Sequence, residues 1–233
     1  MLNLIRGSKV RAAELIGALT EVVSDAQRRL DLARHGADEA RHAYMLLRRM
    51  TEVGFHPLRL PPELDRVEGL LARCRARDVR QVSAEHGCVN EAELMELTAA
   101  ALVWESDTVA TLRASHAALD GDARTRTLIG AVLRDDERHV AYLGAWLARF
   151  EERFSRRAVK ASLERLEALF EELSASCYGV LEESFERMAA DGGVGFATSA
   201  GPRAARIAAR SAEVAGSSTA RSRASTEPVS TTP

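Results

Sequence analysis

Cysteine, proline and long apolar runs are all scarce in this chain of 233 residues. The three cysteines, Cys74, Cys88 and Cys177, are scattered, odd in number and nowhere spaced as Cys-x-x-Cys. That excludes a disulfide framework or thiolate metal site and points to reduced thiols in a cytoplasmic protein. The longest apolar run, residues 99–104, is far too short to span a bilayer. Residues 1–10 are basic but have no apolar stretch of the kind a signal peptide needs. A net charge of −2 gives no bulk attraction to nucleic acid or anionic membrane, so neither is expected as a partner. No segment alternates apolar and polar residues with period two, so no sheet is expected.

What is present is helical and repeated. Asp38-Glu39-Ala40-Arg41-His42 and Asp135-Asp136-Glu137-Arg138-His139 both read Asp-acid-x-Arg-His. An acid and a His three residues apart share one helix face and can reach the same point. Two copies on long helices suggest a site for two metal ions between helices. Such a site needs one carboxylate from each of two further helices. In an antiparallel hairpin, residues at one level lie equally far from the turn. Glu14 and Glu39 bracket a midpoint at Ala26-Gln27, immediately after the helix-start signal Ser24-Asp25. Glu105 and Asp136 bracket Asp120-Gly121, within the turn sequence Asp120-Gly121-Asp122. Glu21 fits worse, since its midpoint with Glu39 falls at Leu30, inside a helical pattern. The ligand set expected from sequence is therefore Glu14, Glu39, His42, Glu105, Asp136 and His139. Four carboxylates balance two divalent cations, and the oxygen and imidazole donors suit iron or manganese better than structural zinc.

With this doubled motif, residues 8–152 resemble ferritin-like di-iron carboxylate proteins. The Asp-Glu-x-Arg-His form is closer to bacterial multicomponent monooxygenases and acyl-carrier-protein desaturases than to ferritins. The resemblance implies an all-α, ferritin-like four-helix bundle with one long crossover. It implies that Asp38 and Asp135 accept the ring N–H of the histidine ligands, and that Arg41 and Arg138 brace that network. Thr108, one turn from Glu105, resembles a threonine near the metals of those enzymes; its alternative role is to bond its own helix backbone. Asp136 departs from the pattern, which has Glu there. The absence of Cys-x-x-Cys argues against an appended rubredoxin-type iron domain.

The expected helices cover about 8–23, 25–53, 62–77, 90–119, 122–154 and 156–190. Residues 1–154 would form the di-metal bundle, with a crossover at 54–90. The helix at 155–190 carries a narrow apolar stripe from Val159 to Met188, suited to packing on the bundle or forming a homodimer. Residues 191–233, rich in Gly, Ala, Ser, Thr and Arg, read as a disordered tail, with a docking tag as the alternative. Gly17, Ala101 and Thr108 are expected to line a pocket beside the ligands. His35, one turn before Glu39, reads as an interior histidine, or else as an extra ligand or proton relay. Tyr142, one turn past His139, is expected to pack over the site. These readings converge on an oxygen-activating oxidoreductase with two iron ions (a Mn/Fe pair being the variant). Its partners would be O₂, a small organic substrate and an external electron donor. The alternatives are a ferroxidase or iron-handling protein, and a ferritin-like interaction module with an idle site.

Overall fold

In the computed structural model, the backbone is described for residues 1–190 and the side chains for residues 1–183. The tail expected at 191–233 lies outside the described residues, as do the side chains of the last turns of the stripe. Among the described residues every regular element is helical. No described helix is long and apolar enough to cross a membrane.

Two hairpins carry the architecture. α1 (Leu2–Val22) packs along α2 (Ala26–Glu52), and α5 (Glu91–Ala118) packs along α6 (Ala123–Phe154). The starts of these helices are chemically marked. Asp25 caps α2 by accepting from Arg28 N at 2.7 Å, and Asp122 caps α6 by accepting from Thr125 N at 3.0 Å. Asn90 and Glu93 form a reciprocal capping box at the start of α5. Arg49, in the last turn of α2, donates to both Asp122 oxygens at 3.0 and 2.8 Å and so ties the two hairpins together.

α1 begins at Leu2, well before the expected start near residue 8. The Met1 carbonyl accepts from Leu4 N and Ile5 N, and Ile5 is buried, so the first turn has both a hydrogen-bond partner and a packing partner. The crossover holds a 3₁₀ turn (Pro62–Leu64) and two short α-helices rather than one helix: α3 (Arg66–Leu71) and α4 (Val79–Ala84), capped by Asp65 and Asp78. Past Leu71 the helix does not continue: Arg75 N and Arg77 N donate to Glu96 and Glu93 of α5 rather than back along the chain. Val79 and Val82 of α4 are buried, and α4 packs on α1. Val89 N donates to Val22 O at 3.1 Å, joining the crossover's end to the end of α1.

After a break at Ser155, where φ is 76°, α7 (Arg156–Ala190) follows. Val159, Leu166 and Phe170 join the chain's own core, and Arg165 and Ser162 both bond Glu96 of α5. Of the described stripe, Val159, Leu166, Phe170 and Cys177 are buried within the chain, and Leu163 and Leu173 partly so.

The core has layers. Ile5, Leu46, Leu112, Ile129 and Val132 form one apolar layer. Leu15, Ile16, Leu32, Leu97, Leu143 and Trp146 belong to a second, larger one. Between the two, at one level on α1, α2, α5 and α6, lies a set of fully buried charged and imidazole side chains.

Candidate metal centre

α2 contributes His35, Glu39 and His42, α6 contributes Asp136 and His139, and α5 contributes Glu105. Each is at most 3% exposed, and Glu39, Glu105 and Asp136 are at 0%. The i, i+3 spacing sets acid and histidine on the inward face of α2 and of α6. His35 and Glu39, one turn apart, share the face of α2.

The fourth helix supplies a lysine, not a glutamate. Glu14 is 55% exposed and pairs with Arg11 at 2.6 Å, away from the cluster. Its place in the expected set is taken by Lys9, which is 2% exposed. Lys9 Nζ donates to Glu39 Oε1 at 2.9 Å and Asp136 Oδ2 at 2.7 Å, and lies 3.9 Å from Glu105 Oε2. Glu14 is five residues past Lys9, which turns it about 140° round the helix and out of the core. The midpoint rule itself holds. Lys9 and Glu39 are equally far from Ser24, at the centre of the observed turn, whereas the Glu14 midpoint falls inside α2. The α1 residue that satisfies the geometry is a lysine, not a carboxylate.

The aspartates of the two motifs work crosswise. His42 Nε2 faces Asp135 Oδ2 at 3.0 Å, and His139 Nε2 faces Asp38 Oδ2 at 3.4 Å. Arg41 donates to Asp38 and Asp135, both at 2.7 Å, and Arg138 reaches Asp135 at 2.6 Å and Asp38 at 3.4 Å. This ring of two acids and two arginines closes the cluster toward solvent.

On the other side, His35 Nε2 lies 3.0 Å from Glu105 Oε1, and its Nδ1 lies 2.6 Å from the Tyr142 hydroxyl. Trp104 Nε1 donates to Glu105 Oε1 at 3.1 Å. Beside them is an apolar cavity of about 20 Å³, lined in part by His35, Ala101, Trp104, Tyr142 and, from the crossover, Leu71 and Val79. Thr108 bonds its own helix through Trp104 O at 2.9 Å. Gly17 is exposed and does not line the cavity.

Burial and charge pull in opposite directions here. Burial works against the Lys9 ammonium, but Glu105, Glu39 and Asp136 hold its pKa well above the usual lysine range. Burial would raise the Glu105 carboxyl, yet Lys9 and His35 keep it below the usual carboxylate range. The Asp136 carboxyl is pushed up to about 8, first by burial and then by Glu105 and Glu39, against the pull of Lys9. Burial, with His35 alongside, lowers His139 to about 4. Burial also opposes charge on His42, but Glu39 and Asp135 raise its pKa overall.

Several buried polar atoms in the cluster have no hydrogen-bond partner: Glu39 Oε2, Glu105 Oε2, Asp136 Oδ1 and His139 Nδ1. Unpaired buried acceptors of this kind cost about 1–3 kcal/mol each, more when charged, and a cation would relieve that cost. Two groupings have donor atoms within 4.8 Å of one another: His35, Glu39, Glu105 and His139, and Glu39, His42 and Asp136. These buried groups could hold a metal ion. The chain matches no family model, no curated protein and no solved structure.

Proposed function

We propose that this chain is an iron-dependent oxidoreductase that activates O₂ to oxidise a small organic substrate, built on a ferritin-like four-helix arrangement. The observation that carries the reading is the buried, partly unpartnered set of carboxylate and imidazole atoms held at one level by four helices. Nitrogen and oxygen donors without thiolate favour iron or manganese. A ferrous ion bound there would supply the electrons that O₂ needs. The chain's own residues do the rest. Asp38 and Asp135 fix the rings of His139 and His42. The Tyr142 hydroxyl and His35 Nδ1 form a 2.6 Å hydrogen bond at the edge of the apolar cavity. Leu71 and Val79 of the crossover help keep water out of that cavity. At about 20 Å³ it has room for about one water-sized molecule, which is too small for an organic substrate. Substrate turnover would draw electrons from an external donor.

A second reading, a helical interaction module with an idle site, draws on Lys9, which neutralises one carboxylate without any ion. Anaerobic Fe(II) loading followed by O₂ separates the readings. The enzyme should consume O₂ with a transient visible absorption that small organic reductants or substrates quench. Continued iron uptake with mineral growth would indicate iron handling instead. A protein that takes up no metal and consumes no O₂ would leave the interaction module.

A further inference from the structure

The doubled motif makes this centre a repeat, and the repeat is broken at two positions. Glu39 corresponds to Asp136, His42 to His139, and Asp38 to Asp135. On the same offset, the counterpart of His35 is Val132, which is buried in an apolar layer. The counterpart of Glu105, on the first helix of the other hairpin, is Lys9. One half of the centre therefore has a histidine that the other lacks, and the other has an ammonium where the first has a carboxylate.

We infer that the centre holds one metal ion, bound by His35, Glu39, Glu105 and His139, and that the Lys9 ammonium occupies the place of a second. This rests on reading the cluster as a metal site. In the first half, three residues each keep one atom unengaged while another atom is anchored. Glu39 Oε1 is held by Lys9, leaving Oε2 without a partner; Glu105 Oε1 is held by Trp104 and His35, leaving Oε2 without one; His139 Nε2 faces Asp38, leaving Nδ1 free. His35 completes the group from the cavity side, with its Nδ1 held by Tyr142.

The other half is largely engaged, with Asp136 Oδ1 left without a hydrogen-bond partner. Lys9 Nζ donates to both of its carboxylates, Glu39 and Asp136. Both nitrogens of His42 face carboxylates, Glu39 at 3.2 Å and Asp135 at 3.0 Å. Charge points the same way. Three buried carboxylates are balanced by Lys9 plus one divalent cation. Lys9 plus two such ions would leave a double positive excess in a site closed to water, which is expensive to sustain.

Metal equivalents give the test, independently of turnover. Full-length apoprotein is titrated anaerobically with Fe(II), and separately with Mn(II), then gel-filtered and analysed for bound metal. The wild type should retain one equivalent. His35→Gln should lose it, and His42→Gln should keep it. Lys9→Glu, which restores the counterpart of Glu105, should raise the count to two. Two equivalents in the wild type, or a loss in His42→Gln as large as in His35→Gln, would overturn the inference. A folded Lys9→Glu protein that still binds one would show that Lys9 is not what excludes the second ion. The two proposals fail differently. Two ions with O₂ consumption sinks only the single-ion inference, and one ion without O₂ consumption sinks only the oxidoreductase.

Discussion

His42 Nε2 on α2 lies 3.0 Å from Asp135 Oδ2 on α6, while His139 Nε2 on α6 lies 3.4 Å from Asp38 Oδ2 on α2. Each motif's aspartate thus orients the histidine of the other motif. The doubling is then more than two copies of a local pattern. The Nε2 side of each ring finds its aspartate only where α2 and α6 meet, so the site depends on the packing of the two hairpins.

The crosswise pairing makes the two aspartates unequal if only His139 binds metal. Asp38→Asn should weaken Mn(II) or Fe(II) binding about 10–100-fold, the usual result of releasing a ligand histidine. Asp135→Asn, whose partner is His42, should change affinity far less. Isothermal titration of both variants decides this, and equal losses would contradict it.

Glu14→Ala should change little. The residue is 55% exposed and paired only with Arg11, itself 33% exposed. Surface ion pairs of this kind contribute about 0–1 kcal/mol. Thermal melts should be nearly unchanged and metal content fully retained. Loss of metal would return Glu14 to the ligand set.

Much of this was legible in the sequence, and the reasons are specific. The Asp-acid-x-Arg-His repeat located the inward faces of α2 and α6. The Asp120-Gly121-Asp122 turn fixed the level of Glu105 because Gly and Asp mark a helix stop and a cap. Asp25 was readable as the cap of α2 for the same reason. Lys9 was not legible in this way. A lysine on an amphipathic helix ordinarily lies in solvent, and only the tertiary cluster of three acids reverses that preference. Its one available signal was positional: it stands as far from Ser24 as Glu39 does. The start of α1 was missed for a related reason, because Ile5 shows its packing role only once α5 and α6 supply Leu112, Ile129 and Val132.

The metal-free protein should be less stable at neutral than at acidic pH through Asp136. Its carboxyl rises from an ordinary 3.8 to about 8 in the folded chain, driven by burial and by Glu105 and Glu39. A carboxyl raised on folding favours the fold while protonated. That contribution is full below the unfolded value and is lost as pH climbs through the folded one, a window of about pH 4 to 8. A bound cation cancels the charges of Glu39 and Glu105 that raise Asp136, and metal binding itself strengthens with pH. His139, lowered to about 4, gains stability with pH up to about 6.5 and offsets Asp136 there, so melting temperature should fall with pH chiefly between about 6.5 and 8 without metal, and stay level or rise with saturating Mn(II). Parallel curves would show that the ion does not bind beside Asp136.

Lys9→Met should be costly in the metal-free protein, because it leaves three carboxylates at 0% exposure without their ammonium partner. Removing one member of a buried ion pair typically costs about 3–5 kcal/mol. Part of that loss should be recovered by acidification, as the carboxylates protonate, and part by a divalent cation, which supplies the missing charge. Methionine keeps much of the length and apolar stem of lysine, so packing changes little and the effect reports charge. Chemical denaturation at pH 5 and 7.5, with and without Mn(II), would resolve the two contributions. A variant as stable as the wild type at pH 7.5 without metal would mean that Lys9 does not neutralise the cluster.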